Sequence, residues 1–171
     1  MHTARYSRLV VHITNIPTPY RIHFCNRLQA ALAERGYGFH VLYCGETEPN
    51  RGWKIDFSSM QYPYAVMRGV SPRIAGAYLH VNPGVVSWLR RLRPEILLIA
   101  GSWNMPTALV ASSRSLCGRA FRVFWSEAHA GAILHRAGPV AWLRRRCLRA
   151  YPKSPAARNV IQAQAKCSIA R

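Results

Sequence analysis

Short apolar runs alternate along the chain with segments in which apolar residues recur every three or four positions. The first run, residues 8–14, is rich in β-branched residues and predicts a buried strand. Thr18 and Pro19 follow as an N-cap and a first helical residue, and helical spacing continues until Gly36. A strand that leads directly into a capped helix is the typical opening of a doubly wound α/β fold.

The same alternation continues to about residue 148. Pro63 places the third strand at an edge of the sheet, because proline cannot donate to a neighbouring strand. Asn82 is expected to cap the helix that follows it. The whole pattern predicts a Rossmann-like α/β fold, a mainly parallel sheet with helices on both faces. The further predicted strands are 39–44, 62–67, 95–100 and 120–125, and the further predicted helices are 83–92, 104–116 and one around 142–148.

The pattern ends near Ala150, which divides the chain into two parts. Residues 1–150 form the predicted domain, and residues 151–171 form an irregular basic tail with weak periodicity. Residues 128–171 contain nine Arg or Lys and no acidic residue. We expect that this tail does not continue the sheet. A gene truncated or frameshifted near Ala150 would explain why the pattern ends there.

The charge of the chain is strongly unbalanced. It has 24 basic and 6 acidic residues among 171, a net charge of +18. Three explanations are open: attraction to an anionic membrane or a lipid-linked substrate, attraction to nucleic acid, and coding bias, since almost all the basic residues are Arg.

The five cysteines indicate a reducing compartment. They are odd in number and form no C-x-x-C pair, so neither a disulfide framework nor a zinc site is indicated, and no metal or cofactor is predicted. No segment approaches the roughly 18 apolar residues that span a bilayer. We therefore expect a cytoplasmic protein, with contact at the inner face of the membrane as the alternative that the charge leaves open.

Polar residues follow the predicted strands at the places where ligands bind in open α/β sheets. Glu127 and His129 pair an acid with an imidazole after the last strand, which makes them the candidates for acid–base catalysis. The first βα turn has no G-x-G-x-x-G dinucleotide fingerprint. Turn and capping roles remain open for the same polar residues. The candidate substrate-binding residues are Asn15, Thr18, Tyr20, Arg21, Glu46, Arg51, Trp53 and Trp103.

Several segments, in order, resemble the N-terminal domain of group 1 (family 4) glycosyltransferases. They are TNIPTPYR, the helix that ends in NRLQAALAERG, the E-x-x-x-x-R-x-W spacing of Glu46, Arg51 and Trp53, and NPGVVSWLRRLRPEILLIAGSWN. The resemblance covers about residues 8–148.

The resemblance implies one half of a GT-B fold. Enzymes of this kind move a sugar from a nucleotide-sugar to a glycan or lipid-linked acceptor with retention of configuration, usually without a metal. Their N-terminal half holds the acceptor, and their C-terminal half binds the nucleotide and carries an E-x7-E motif. The resemblance thus predicts that this chain is the acceptor half and does not transfer sugar alone. The alternative is a non-enzymatic Rossmann-like module that binds anionic lipid or nucleic acid through its basic surface.

Overall fold

Five parallel strands form one sheet with helices on both of its faces. The structure is a computed structural model that describes residues 8–48, 51–52, 54–74, 77–101, 105–113, 120–125 and 138–149. The strands are β1 (Arg8–Thr14), β2 (Tyr37–Tyr43), β3 (Tyr64–Val66), β4 (Arg73–Ile74), β5 (Ala77–Tyr78), β6 (Ile96–Ala100) and β7 (Phe121–Trp125), and the helices are α1 (Pro19–Ala33), α2 (Val85–Leu92), α3 (Pro106–Ala111) and α4 (Gly138–Leu148).

The strand order of the large sheet is β3-β2-β1-β6-β7, and every neighbouring pair is parallel. The N-terminal strand β1 lies in the centre, paired along its full length with β2 on one side and through Val10–Ile13 with β6 on the other. The predicted α/β class is confirmed, as is the edge position of β3, which begins directly after Pro63.

Two apolar clusters cover the two faces of the sheet. On one face Val10, Phe39 and Val41 pack with Cys25 of α1. On the other face residues of β1, β2 and β6 pack with residues of α2 and α3. Because neighbouring residues of a strand point to opposite faces, a strand covered on both faces is apolar throughout. This explains the uninterrupted apolar run of β6 and the largely apolar run of β1, in which His12 is also buried.

Helix α1 begins as the sequence predicts. Thr18 has an extended backbone, and its hydroxyl oxygen accepts a hydrogen bond from the backbone N–H of Arg21 at 3.4 Å. Pro19 occupies the first helical turn, where the lack of an N–H costs nothing. Gly36 follows the helix with a φ of +73°, a left-handed conformation that favours glycine.

The predicted cap of the second helix is wrong. Helix α2 begins at Val85 with Gly84 at the cap position, and Asn82 lies two residues before that position. The side-chain amide of Asn82 instead donates to the backbone oxygens of Cys44 and Met67, at 2.8 and 3.1 Å. Asn82 therefore joins the ends of β2 and β3 instead of capping the helix that follows it in the sequence.

A β-hairpin between β3 and α2 has no counterpart in the sequence prediction. Its strands β4 and β5 are two residues long and antiparallel, and a bridge between Val70 and Val81 closes its base. Strands this short carry no readable alternation of polar and apolar residues. Helix α3 is also shorter than predicted, because it ends at Ala111, and residues 114–116 of the predicted helix lie outside the described residues.

Helix α2 packs against the sheet. Its residues Val85 and Leu89 are 1% and 2% exposed and belong to the core, while Trp88 is half-buried. In the ranges that the structure describes, no helix combines the length and the apolar character needed to cross a membrane.

Candidate functional site

The carboxyl ends of the parallel strands form one edge of the sheet, here called the carboxyl edge. It is marked by the last strand residues Thr14, Tyr43, Val66, Ala100 and Trp125. The chain runs from β1 to β2 on one side and reaches β6 on the other, so the strand order reverses between β1 and β6. Such a switch point is where open α/β sheets bind ligands.

Asn15 and Gly101 face each other at this switch point. They directly follow β1 and β6, and the backbone oxygen of Asn15 accepts from the N–H groups of Cys44 and Gly45 at 2.8 and 3.0 Å. Gly101 has a φ of +125°, and a Cβ at this residue would lie 2.5 Å from Oδ1 of Asn15. A side chain at position 101 is therefore excluded, and the side-chain amide of Asn15 lies directly against the backbone of Gly101.

A buried arginine connects α1 to the end of β1. Arg21 is 8% exposed, and its guanidinium donates to the hydroxyl of Thr14 and, at 2.9 Å, to the hydroxyl of Tyr20. The ring of Tyr20 is 55% exposed although its hydroxyl is held. These contacts fix an aromatic face and a positive charge beside the carboxyl edge.

The charge of Arg21 also acts inside the sheet. Burial, and next the positive charge of Arg21, lower the pKa of His12 in β1 to about 3. Burial raises the pKa of the Cys25 thiol to about 12, although Arg21 acts in the opposite direction. His12 and Cys25 are therefore neutral at physiological pH, and Arg21 carries the charge at this place.

Glu46 and Arg51 both lie beyond β2, but Arg51 contacts a different acid. The Nε of Arg51 lies 3.4 Å from a carboxylate oxygen of Glu48, which is 8% exposed, while Glu46 is exposed. The observed acidic partner of Arg51 is therefore Glu48 rather than Glu46. Glu48 and Arg51 are three residues apart, a spacing that permits the observed pair without selecting it over Glu46.

Glu48 begins a hydrogen-bonded network that the sequence analysis missed. We call the set Glu48, Ser71, His80, Asn82 and Thr107 the hairpin network. Nε2 of His80 lies 3.2 Å from Glu48, and Nδ1 of His80 lies 2.7 Å from the hydroxyl of Ser71. The Thr107 hydroxyl accepts from the N–H of Asn82 and lies 2.9 Å from both the backbone oxygen of His80 and Oδ1 of Asn82.

The hairpin network fastens the base of the β4–β5 hairpin to the carboxyl edge. Both ring nitrogens of His80 have partners, and the imidazole is fully buried. An imidazole held on both sides positions its neighbours, and here it joins the exposed Ser71 to the buried carboxylate of Glu48. The carboxylate in turn holds Arg51, so the network also positions a predicted binding residue.

The structure brings some of the predicted site residues together. Asn15, Thr18, Tyr20 and Arg21 lie at the switch point, and Arg51 lies beyond the end of β2. The predicted residues Trp53, Trp103, Glu127 and His129 lie outside the described residues. Among the residues that are described, no group of three or more His, Cys, Asp or Glu side chains is placed to hold a metal ion.

The fold and its carboxyl edge define the chain as an α/β protein with a Rossmann-like parallel sheet. No protein-family model matches the sequence, and no curated protein matches it either.

Proposed function

We propose that this chain binds the sugar acceptor in a glycosyltransferase reaction, at the switch point between β1 and β6. In that reaction a sugar passes from a nucleotide-sugar to a hydroxyl of a glycan or a lipid-linked acceptor. The bond between the anomeric carbon and the phosphate oxygen breaks, a bond to the acceptor oxygen forms, and the acceptor proton goes to a base. Glu127 and His129 are the proposed residues for that proton.

The observation that supports the proposal best is the held aromatic ring of Tyr20. More than half of this side chain is exposed, and its hydroxyl is fixed by Arg21, which is itself held by Thr14. A fixed and accessible ring loses little conformational entropy when a ligand packs on it. The C–H face of a pyranose ring is a suitable partner for such a surface.

The surroundings of Tyr20 favour an oxygen-rich ligand. The first turn of α1 contains no acidic residue, and the helix N-terminus adds its positive end to the charge of Arg21. Sugar hydroxyls and phosphate oxygens both accept hydrogen bonds from such groups. The reaction that we propose, sugar transfer, rests on the resemblance of the sequence to the acceptor domains of glycosyltransferases.

Sugar binding by Tyr20 can be tested by NMR titration with methyl glycosides of glucose, galactose, mannose and N-acetylglucosamine. We expect at least one glycoside to shift the backbone amide signals of Asn15, Tyr20 and Gly101. Tyr20→Ala should weaken that binding about five- to tenfold, since the ring contributes about 1 kcal/mol. Tyr20→Phe keeps the ring and should lose less.

Phe121→Ala is the matched control. Phe121 is 41% exposed and begins β7, so it is an accessible ring at the opposite edge of the sheet. It should leave the affinity unchanged. Equal losses in the Phe121 and Tyr20 variants, or shifts confined to the opposite edge, would contradict the proposed site.

A further inference from the structure

We propose that one face of α4 docks on a membrane surface rich in anionic lipid. The face, here called the α4 face, consists of Trp142, Arg145 and Arg146 of α4 and of Arg149 directly after it, whose backbone N–H donates to the oxygen of Arg145 at 3.0 Å. These positions are separated by three, four and seven residues from Trp142, so they share one side of a helix. All four side chains are exposed.

The exposure of Trp142 is the central observation. Its side chain is 64% exposed, the second largest exposed fraction among the large hydrophobic residues that are described. The neighbouring Ala141 is 1% exposed, which shows that α4 has an inner and an outer side. Tryptophan is costly to leave in water but suits the boundary between lipid headgroups and acyl chains.

The charge of the α4 face complements an anionic surface. No acidic residue occurs between positions 128 and 171, so nothing on the helix itself neutralises the three arginines. Some arginines elsewhere have structural partners: Arg8 pairs with Glu95 at 2.9 Å, and Arg122 donates to the backbone oxygen of Ser112 at 2.5 Å. The three arginines of the α4 face therefore present positive charge to an anionic surface beside an exposed aromatic ring.

Helix α2 has a similar composition but a different structure. The sequence suggests Trp88, Leu89 and the neighbouring arginines as interfacial anchors, yet Leu89 is buried against the sheet. The guanidinium of Arg91 covers the ring of Trp88, 3.9 Å from its centre. An anchor that is already packed cannot enter a lipid surface, so α2 provides a matched control for α4.

A lipid surface fits the α4 face better than nucleic acid does. On an interfacial helix the ring enters the headgroup region while long Arg side chains reach the phosphates around it. On the α4 face, the ring of Trp142 can enter the headgroup region while the three arginines beside it reach the lipid phosphates. In a nucleic acid the ring would need an unpaired base for stacking.

Sedimentation with vesicles tests the proposal. One set of vesicles contains only phosphatidylcholine, and the other contains equal parts of phosphatidylcholine and phosphatidylglycerol. We expect binding to the anionic vesicles that weakens as salt is raised. Since each basic residue near such a surface changes the partition coefficient about fivefold, Arg145→Gln with Arg146→Gln should weaken binding about 25-fold. Trp142→Ser should also weaken it, and Trp142→Phe less so.

The double variant Arg90→Gln with Arg91→Gln removes the same charge from α2 and should change binding less than about threefold. Circular dichroism of every variant confirms that it is folded. Equal losses in the α2 and α4 variants would overturn the proposal, as would failure of the anionic vesicles to bind the chain. Displacement of the chain from vesicles by a single-stranded oligonucleotide, with oligonucleotide binding lost in the α4 variants, would assign the face to nucleic acid instead.

Discussion

Replacing Asn82 by alanine is expected to lower the free energy of unfolding by about 3–5 kcal/mol, because it removes the donor of two buried backbone oxygens and an acceptor of Thr107. Asn82 is 3% exposed, so water does not replace the lost partners. Gly69 adds to the effect. Its missing side chain makes room for the Asn82 amide, and the variant leaves that room empty. Denaturant unfolding followed by circular dichroism measures the loss.

Asn26→Ala is the control for this prediction. Asn26 also makes two side-chain hydrogen bonds, to the oxygen of Ser59 and from the N–H of Gln61, but both are exposed to water. We expect a loss of about 1 kcal/mol or less, because water can satisfy these groups. Similar losses of unfolding free energy in the two variants would show that burial does not determine how much the hairpin network contributes to stability.

The stability of the protein is expected to fall by about 2 kcal/mol between about pH 7.5 and about pH 5 because of His12 alone. Burial lowers the pKa of His12 from 6.5 to about 3 in the folded protein. Its ring is enclosed by Phe39 and Trp125, and in the described part of the chain Nε2 has no hydrogen-bond partner. A proton on this ring would therefore be buried without compensation.

The direction follows from the two pKa values of His12. Below pH 6.5 the unfolded chain takes up a proton at His12, while the folded chain does not until about pH 3. The stability that His12 contributes is therefore complete above pH 6.5 and is lost as the pH falls. His40, with a pKa lowered to about 4 by burial and by Arg91, acts in the same direction.

Denaturant unfolding at both pH values, for the natural chain and for His12→Leu, isolates the contribution of His12. His12→Leu should lose less stability on acidification than the natural chain does. The loss that remains should include the part caused by His40. His23→Leu, on the exposed side of α1, should behave as the natural chain does. An unchanged pH dependence in His12→Leu would contradict the prediction.

The regular elements of the sheet were accessible from the sequence because each has a local cause. The largely apolar run of β1 and the Thr18–Pro19 start of α1 can be recognised without knowledge of the rest of the chain. The hairpin and Asn82 were not accessible. Asn82 precedes a helix in sequence as a cap does, and only the distant backbone of Cys44 and Met67 gives it another role.

The sequence predicts the edge of the sheet at which polar residues lie, but not which of them pair with one another. Parallel topology predicts that polar residues after β1 meet residues that follow other strands at one edge, and Asn15 lies against Gly101 there. Pairing with Arg51 depends on how the loop beyond β2 folds, and the buried acid there is Glu48. A loop in which acids stand two residues apart does not reveal from its sequence which of them turns inward.

The central position of β1 has a consequence for how the chain folds as it is synthesised. One side of β1 pairs with β2, which follows within about thirty residues, but His12 on the other side pairs opposite Leu98. At about 5–20 residues per second, a ribosome needs roughly 3–11 seconds to advance from the end of β2 to Leu98. For that time the emerging strand has an open apolar edge at Val10, Val11 and Ile13, which is the kind of surface that chaperones protect from aggregation.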